Sequence, residues 1–161
     1  MLRRTLAPLL LLLLAPALAR AASPSVTGLH VGFSTDPSQV VGGGHLVLSD
    51  IAPRVDFVPS VDLGLGDNLT LISFNGDFHY RFQVSNSHWT PYAGAGVSLH
   101  VWNWDNGFLG QGASGTVGDG ALIGGADVPT SSGNRFFVEG KISLGNGPTF
   151  KALAGWSFHL R

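Results

Sequence analysis

TLISFNGDFHYRF, Thr70 to Phe82, alternates with a period of two. Thr70, Ile72, Phe74, Gly76, Phe78, Tyr80 and Phe82 share one side, while Ser73, Asn75, Asp77, His79 and Arg81 share the other. Successive side chains of a strand point to opposite faces, so this is a β-strand with an aromatic face and an ionisable face. The fold turns on what each face meets.

The same alternation recurs along the chain. Val55, Phe57, Pro59, Val61 and Leu63 oppose Arg54, Asp56, Ser60 and Asp62. Phe136, Val138, Gly140 and Ile142 oppose Arg135, Glu139 and Lys141, and Phe150, Ala152, Ala154, Trp156, Phe158 and Leu160 oppose Lys151, Ser157 and His159. With clusters of Gly, Asn, Asp, Ser and Pro as breaks, the pattern predicts eight strands, at about 26–34, 41–50, 53–64, 68–82, 90–104, 116–127, 134–144 and 149–160. The second and sixth alternate poorly, and Gly118, Gly120, Leu122, Gly124 and Ala126 could face either way. Short turn-rich connectors make an antiparallel meander the simplest topology.

Composition narrows the environment. The chain has 161 residues, nine Lys plus Arg against ten Asp plus Glu, only 12% charged residues and 23 glycines. A soluble domain carries about 25% charged residues. The even charge balance argues against a nucleic-acid partner. No cysteine occurs, which excludes a disulfide framework, thiol chemistry and a lipid anchor on cysteine. The opening MLRRTLAPLLLLLLAPALARAA has a basic start, an apolar run from Leu6 to Leu14 and small residues at Ala17, Ala19 and Ala21. It reads as a cleaved secretory signal peptide over residues 1–22, leaving a single domain over 23–161. The run is shorter than the ~20 apolar residues of a spanning helix, so any later membrane crossing must use strands.

Two structures use such strands. A soluble lipocalin-like barrel would turn Phe74, Phe78, Tyr80 and Phe158 inward around an apolar ligand. A transmembrane barrel would turn them to lipid and enclose the polar face. The low charge count and the Gly and Ala beside large rings favour the second. Arg54, Asp56, Asp62, Asn75, Asp77, His79, Arg81, Glu139, Lys141 and Lys151 then form an interior polar network, because eight strands leave room only for side chains. Tyr80, Phe82, Trp89, Tyr92, Trp156 and Phe158 near one end, with Trp102 and Trp104 near the other, form two aromatic girdles. Tyr92, Trp102 and Trp104 share the register of Ser98 and His100, so turning all three outward requires a bulge. Trp104, Phe108 and Leu109 in the long fifth connection are the candidates for surface contact.

TPYAGAGV (Thr90 to Val97), RFFVEGK (Arg135 to Lys141) and the closing AGWSFHL (Ala154 to Leu160) carry a family likeness. Across the mature chain the sequence resembles the small eight-stranded outer-membrane β-barrels, the group that includes the transmembrane domain of outer-membrane protein A and the opacity-type surface proteins. The resemblance implies an all-β, up-and-down transmembrane barrel in the outer membrane, surrounded by its lipid, folded by the outer-membrane assembly machinery and monomeric. Family members usually finish on Phe, whereas His159, Leu160 and Arg161 follow Phe158 here.

The chemistry expected is structural. His30, His79, His100 and His159 fall on the inward register, and His30 and His159 would approach each other where the barrel closes. No His-x-His or His-Glu-x-x-His spacing marks a metal site, and no cofactor motif occurs. Some barrels of this membrane modify lipid A with a His, a Ser and a carboxylate. Ser87 and His88 lie in a turn on the wrong side for that, and the last strands hold no His-x-Ser. The expectation is a non-enzymatic barrel with a structural or cell-surface interaction role.

Overall fold

A computed structural model describes residues 24–104, 113–130 and 134–159. Residues 1–22, expected to be a signal peptide, lie outside the described residues, as do Phe108 and Leu109. Eight strands follow one another: β1 (Pro24–Thr35), β2 (Gln39–Ala52), β3 (Val55–Gly66), β4 (Leu69–Arg81), β5 (Thr90–Trp104), β6 (Ala113–Pro129), β7 (Arg135–Ser143) and β8 (Phe150–His159). Each pairs antiparallel with the next, and β1 pairs with β8 from Val26 opposite His159 to Thr35 opposite Phe150. The sheet is thereby a closed barrel without a free edge. No helix occurs among the described residues.

Turn chemistry sets the hairpins. Asp67 and Asn68 join β3 to β4, with Asn68 at φ 55°, and Pro53 and Arg54 join β2 to β3, with Arg54 at φ 64°. Arg54 is therefore not an interior residue. It sits in the left-handed region on an exposed turn, and its guanidinium donates to Gln83 Oε1 at 2.9 Å. Its charge belonged to the turn that Pro53 begins rather than to the strand face.

All eight strands present large apolar side chains outward. Leu29, Val40, Val61, Phe74, Val97, Leu122, Val138 and Phe158, one from each strand, are exposed. The rings that a soluble ligand carrier would bury face out instead, Phe74 being 50% exposed and Phe158 45%. Inside lie Asp56, Asp62, Asn75, Asp77, His79, Glu139, Lys141 and Lys151, all buried. This is the reverse of a water-soluble barrel, whose polar face meets solvent. β2 and β6 also resolve: His45 and Ile123 are buried, whereas Leu46 and Leu122 face outward.

β5 pairs with both neighbours without a register shift. With no bulge, Tyr92 and Trp102 keep the inward register of His100. Tyr92 is 5% exposed, and Trp102 packs over Gly115, where an added Cβ would lie 2.6 Å from its ring. Neither is a girdle residue. Trp104, on the same register at the strand end, is exposed, as are Tyr80, Phe82, Trp89, Trp156 and Phe158.

Candidate functional site in the barrel interior

The interior holds two polar clusters in its middle and further polar pairs toward each end. Asp62 on β3 is the hub of the first. Its Oδ2 accepts from Lys151 Nζ at 3.0 Å and from Asn75 Nδ2 at 3.0 Å, and its Oδ1 meets His30 Nε2 at 2.9 Å. His30 Nδ1 lies 3.3 Å from His45 Nδ1, and His45 Nε2 lies 2.9 Å from Ser157 Oγ. One tautomer set satisfies the whole chain. Ser157 donates to His45, the Nδ1–H of His45 donates to His30, and the Nε2–H of His30 donates to Asp62. Phe137 closes the side of this chain, its ring edge-on to His45 at 5.1 Å.

The second cluster bridges facing walls of the barrel. Lys141 on β7 donates to Asp77 Oδ2 on β4, and its Nζ lies 3.6 Å from Glu139 Oε1. Tyr92 donates to Glu139 Oε2 at 2.8 Å and stacks on His79 with ring centroids 4.6 Å apart. Glycines make room for these groups. An added Cβ at Gly125 would lie 2.5 Å from the Tyr92 ring, and one at Gly96 would collide with Asp77 Oδ1. Interior glycine thus acts as the complement of a large polar side chain on the adjoining strand.

Toward the end where β1 begins and β8 finishes, Arg81 pairs with Asp50 and with Asp56 at 3.1 Å, and Arg135 lies 3.6 Å from Asp127. At the opposite end Ser73 Oγ meets His100 Nδ1 at 2.8 Å, and His100 Nε2 lies 3.8 Å from Asp119. Ser143 donates to the same carboxylate at 2.6 Å. A cavity of about 50 Å³, lined by His45, Asp56, His79, Tyr92, Glu139 and Ser157 among others, lies between the first two clusters.

Of the ten residues expected inside, nine face the interior and Arg54 does not. His30 and His159 do not meet. His30 faces His45 and Asp62, and His159 is exposed at the end of β8. Sequence reasoning missed His45, Tyr92 and Asp119 as interior partners. His45 shares the inward register of Gly43, whose missing side chain makes room for His30 Nε2 once β1 lies beside β2.

No sequence-family model matches the chain, and no curated protein does. Solved structures do match. The N-terminal β-barrel domain of Pseudomonas aeruginosa OprF superposes with a TM-score of 0.68 at 13% identity, covering 85% of this chain and 98% of that one. Neisserial surface protein A gives 0.62 at 15% identity, with coverage of 84% and 94%. The outer membrane enzyme PagL gives 0.53 at 13%, with coverage of 84% and 100%. This chain has the fold of the small eight-stranded outer-membrane β-barrels.

Proposed function

We propose that the protein is a non-enzymatic, monomeric outer-membrane barrel with a structural or cell-surface interaction role. Residues 1–22 are its signal peptide and 23–161 its barrel, assembled by the outer-membrane machinery and held in lipid. The observation that carries this reading is the inversion of the faces: large apolar side chains outward on every strand, ion pairs within. Soluble monomers rarely expose contiguous apolar patches beyond a few hundred Å², and lipid is the solvent that suits such a belt.

The interior supports a closed plug over a conducting channel, since Lys141 and Lys151 tie opposite walls to Asp77 and Asp62. Both serine–histidine pairs lie inside the wall, with Ser73 1% and Ser157 4% exposed. They sit away from the lipid-facing surface on which an acyl chain would lie, which supports a non-enzymatic role. Expression in a cell with an outer membrane tests the reading. The protein should appear in the outer-membrane fraction and migrate differently in a detergent gel with and without boiling. A soluble protein with no such shift would overturn it.

A further inference from the structure

Asp77 and His79 stand two residues apart on β4, and Glu139 faces them from β7 across the barrel. Each brings one donor atom within 4.8 Å of the other two. His79 Nε2 already lies 3.6 Å from Glu139 Oε2. We propose that Asp77, His79 and Glu139 bind one divalent transition cation of the zinc class inside the barrel. The inference goes beyond the membrane role and stands independently of it.

Two orphaned atoms point to the ligand. Asp77 Oδ1 and His79 Nε2 are buried without a hydrogen-bond partner, and the residues are 2% and 8% exposed. Buried polar atoms are nearly always paired, so two in one cluster call for an occupant. The three residues line the same cavity. Donors bound to one zinc through ~2.1 Å bonds lie about 3.4 Å apart in a tetrahedron. The His79 to Glu139 distance is close to that, and closure needs only a modest shift at Asp77.

Lys141 does not fill this place. It engages Asp77 Oδ2 and lies nearest Glu139 Oε1, leaving Asp77 Oδ1 and His79 Nε2 without a partner, while Glu139 Oε2, which accepts from Tyr92, is the oxygen nearest His79. Charge also favours a cation. Among the described residues the interior holds Asp56, Asp62, Asp77, Asp119, Asp127 and Glu139 against Arg81, Arg135, Lys141 and Lys151. With neutral histidines that leaves two negative charges over the whole interior, one of them within the cluster of Asp77, Glu139 and Lys141. Tyr92 supplies the outer support, its hydroxyl on Glu139 and its ring on His79.

The test is zinc retention by the purified barrel, refolded with excess Zn²⁺ so that access through the closed wall is not limiting, then desalted over a weak chelator. About one zinc per chain is expected. His79→Gln and Asp77→Asn should each weaken binding at least tenfold, and His100→Gln should not. Co²⁺ in place of zinc should give a visible absorption band that His79→Gln removes. Because Asp77 also holds Lys141, His79→Gln decides the matter if Asp77→Asn does not fold; the boiled and unboiled gel identifies folded protein. Substoichiometric zinc in the unaltered barrel, or zinc kept unchanged by folded His79→Gln, would overturn the proposal.

Discussion

Replacing Lys141 with methionine keeps the length of the side chain and removes one charge from between two carboxylates. The Lys141 ammonium lies 3.6 Å from Glu139 Oε1, and the Lys141 and Asp77 side chains are 8% and 3% exposed. At an effective dielectric of about 20, a pair at that separation is worth roughly 4–5 kcal/mol. The ammonium's own desolvation is relieved by the change, but Asp77 and Glu139 remain buried and now repel each other. Removal of one partner from a buried pair costs about 3–5 kcal/mol, so Lys141→Met should lower the folded-to-unfolded ratio by about 10²–10⁴. Urea titration of the barrel in detergent micelles, with chelator present to keep metal out, measures this. Adding Asp77→Asn to Lys141→Met should recover part of the loss, giving a coupling of about 0.5–3 kcal/mol. A cost below about 1 kcal/mol, or strict additivity of the two changes, would refute the claim that a desolvated ion-pair cluster holds the walls together.

Other positions separate the faces. Tyr92→Phe deletes a hydroxyl that donates to the Glu139 carboxylate and should cost about 1.5–3 kcal/mol in the same titration. Tyr80→Phe, on the exposed outer face, should cost less than about 0.5 kcal/mol. Gly125→Ala places a methyl 2.5 Å from the Tyr92 ring and 2.6 Å from the Val138 carbonyl oxygen, an overpacking expected to cost about 1–3 kcal/mol. Phe74→Arg, midway along β4 and facing out, should cost about 2–4 kcal/mol in lipid vesicles. Its effect should shrink in a short-chain detergent that lets the guanidinium reach water.

The strands were legible because alternation is strong wherever side chains are large. β3, β4 and β7 each carry charged side chains on the inward register, Asp56 and Asp62, Asp77 and Arg81, Glu139 and Lys141, and their facing can be read directly from the sequence. β2 and β6 could not be read that way, since Gly42 to Gly44 and Gly118, Gly120, Gly124 and Gly125 contribute no hydropathy to either face. Those glycines mark the network only once the neighbouring strand is in place, as Gly43 does for His30 and Gly125 for Tyr92. Tyr92 and Trp102 misled for a different reason. Aromatic rings near strand ends suit an interfacial girdle, and only the unbroken register of β5 against β4 and β6 shows them turned inward. Arg54 shows the converse error, a charge assigned to a face although the Pro before it had already ended the strand. The contact between Asp77 on β4 and Lys141 on β7 joins non-neighbouring strands across the barrel, and no local pattern encodes it.

The orientation of the two faces is the central claim, and a chain without cysteine allows it to be probed one site at a time. Phe74→Cys carrying an environment-sensitive fluorophore, with the barrel folded into vesicles, reports on the outer face at mid-strand. The account predicts strong quenching by lipids brominated along their acyl chains and little quenching by aqueous iodide. Quenching by iodide with none from brominated chains would place that face in water and contradict the account.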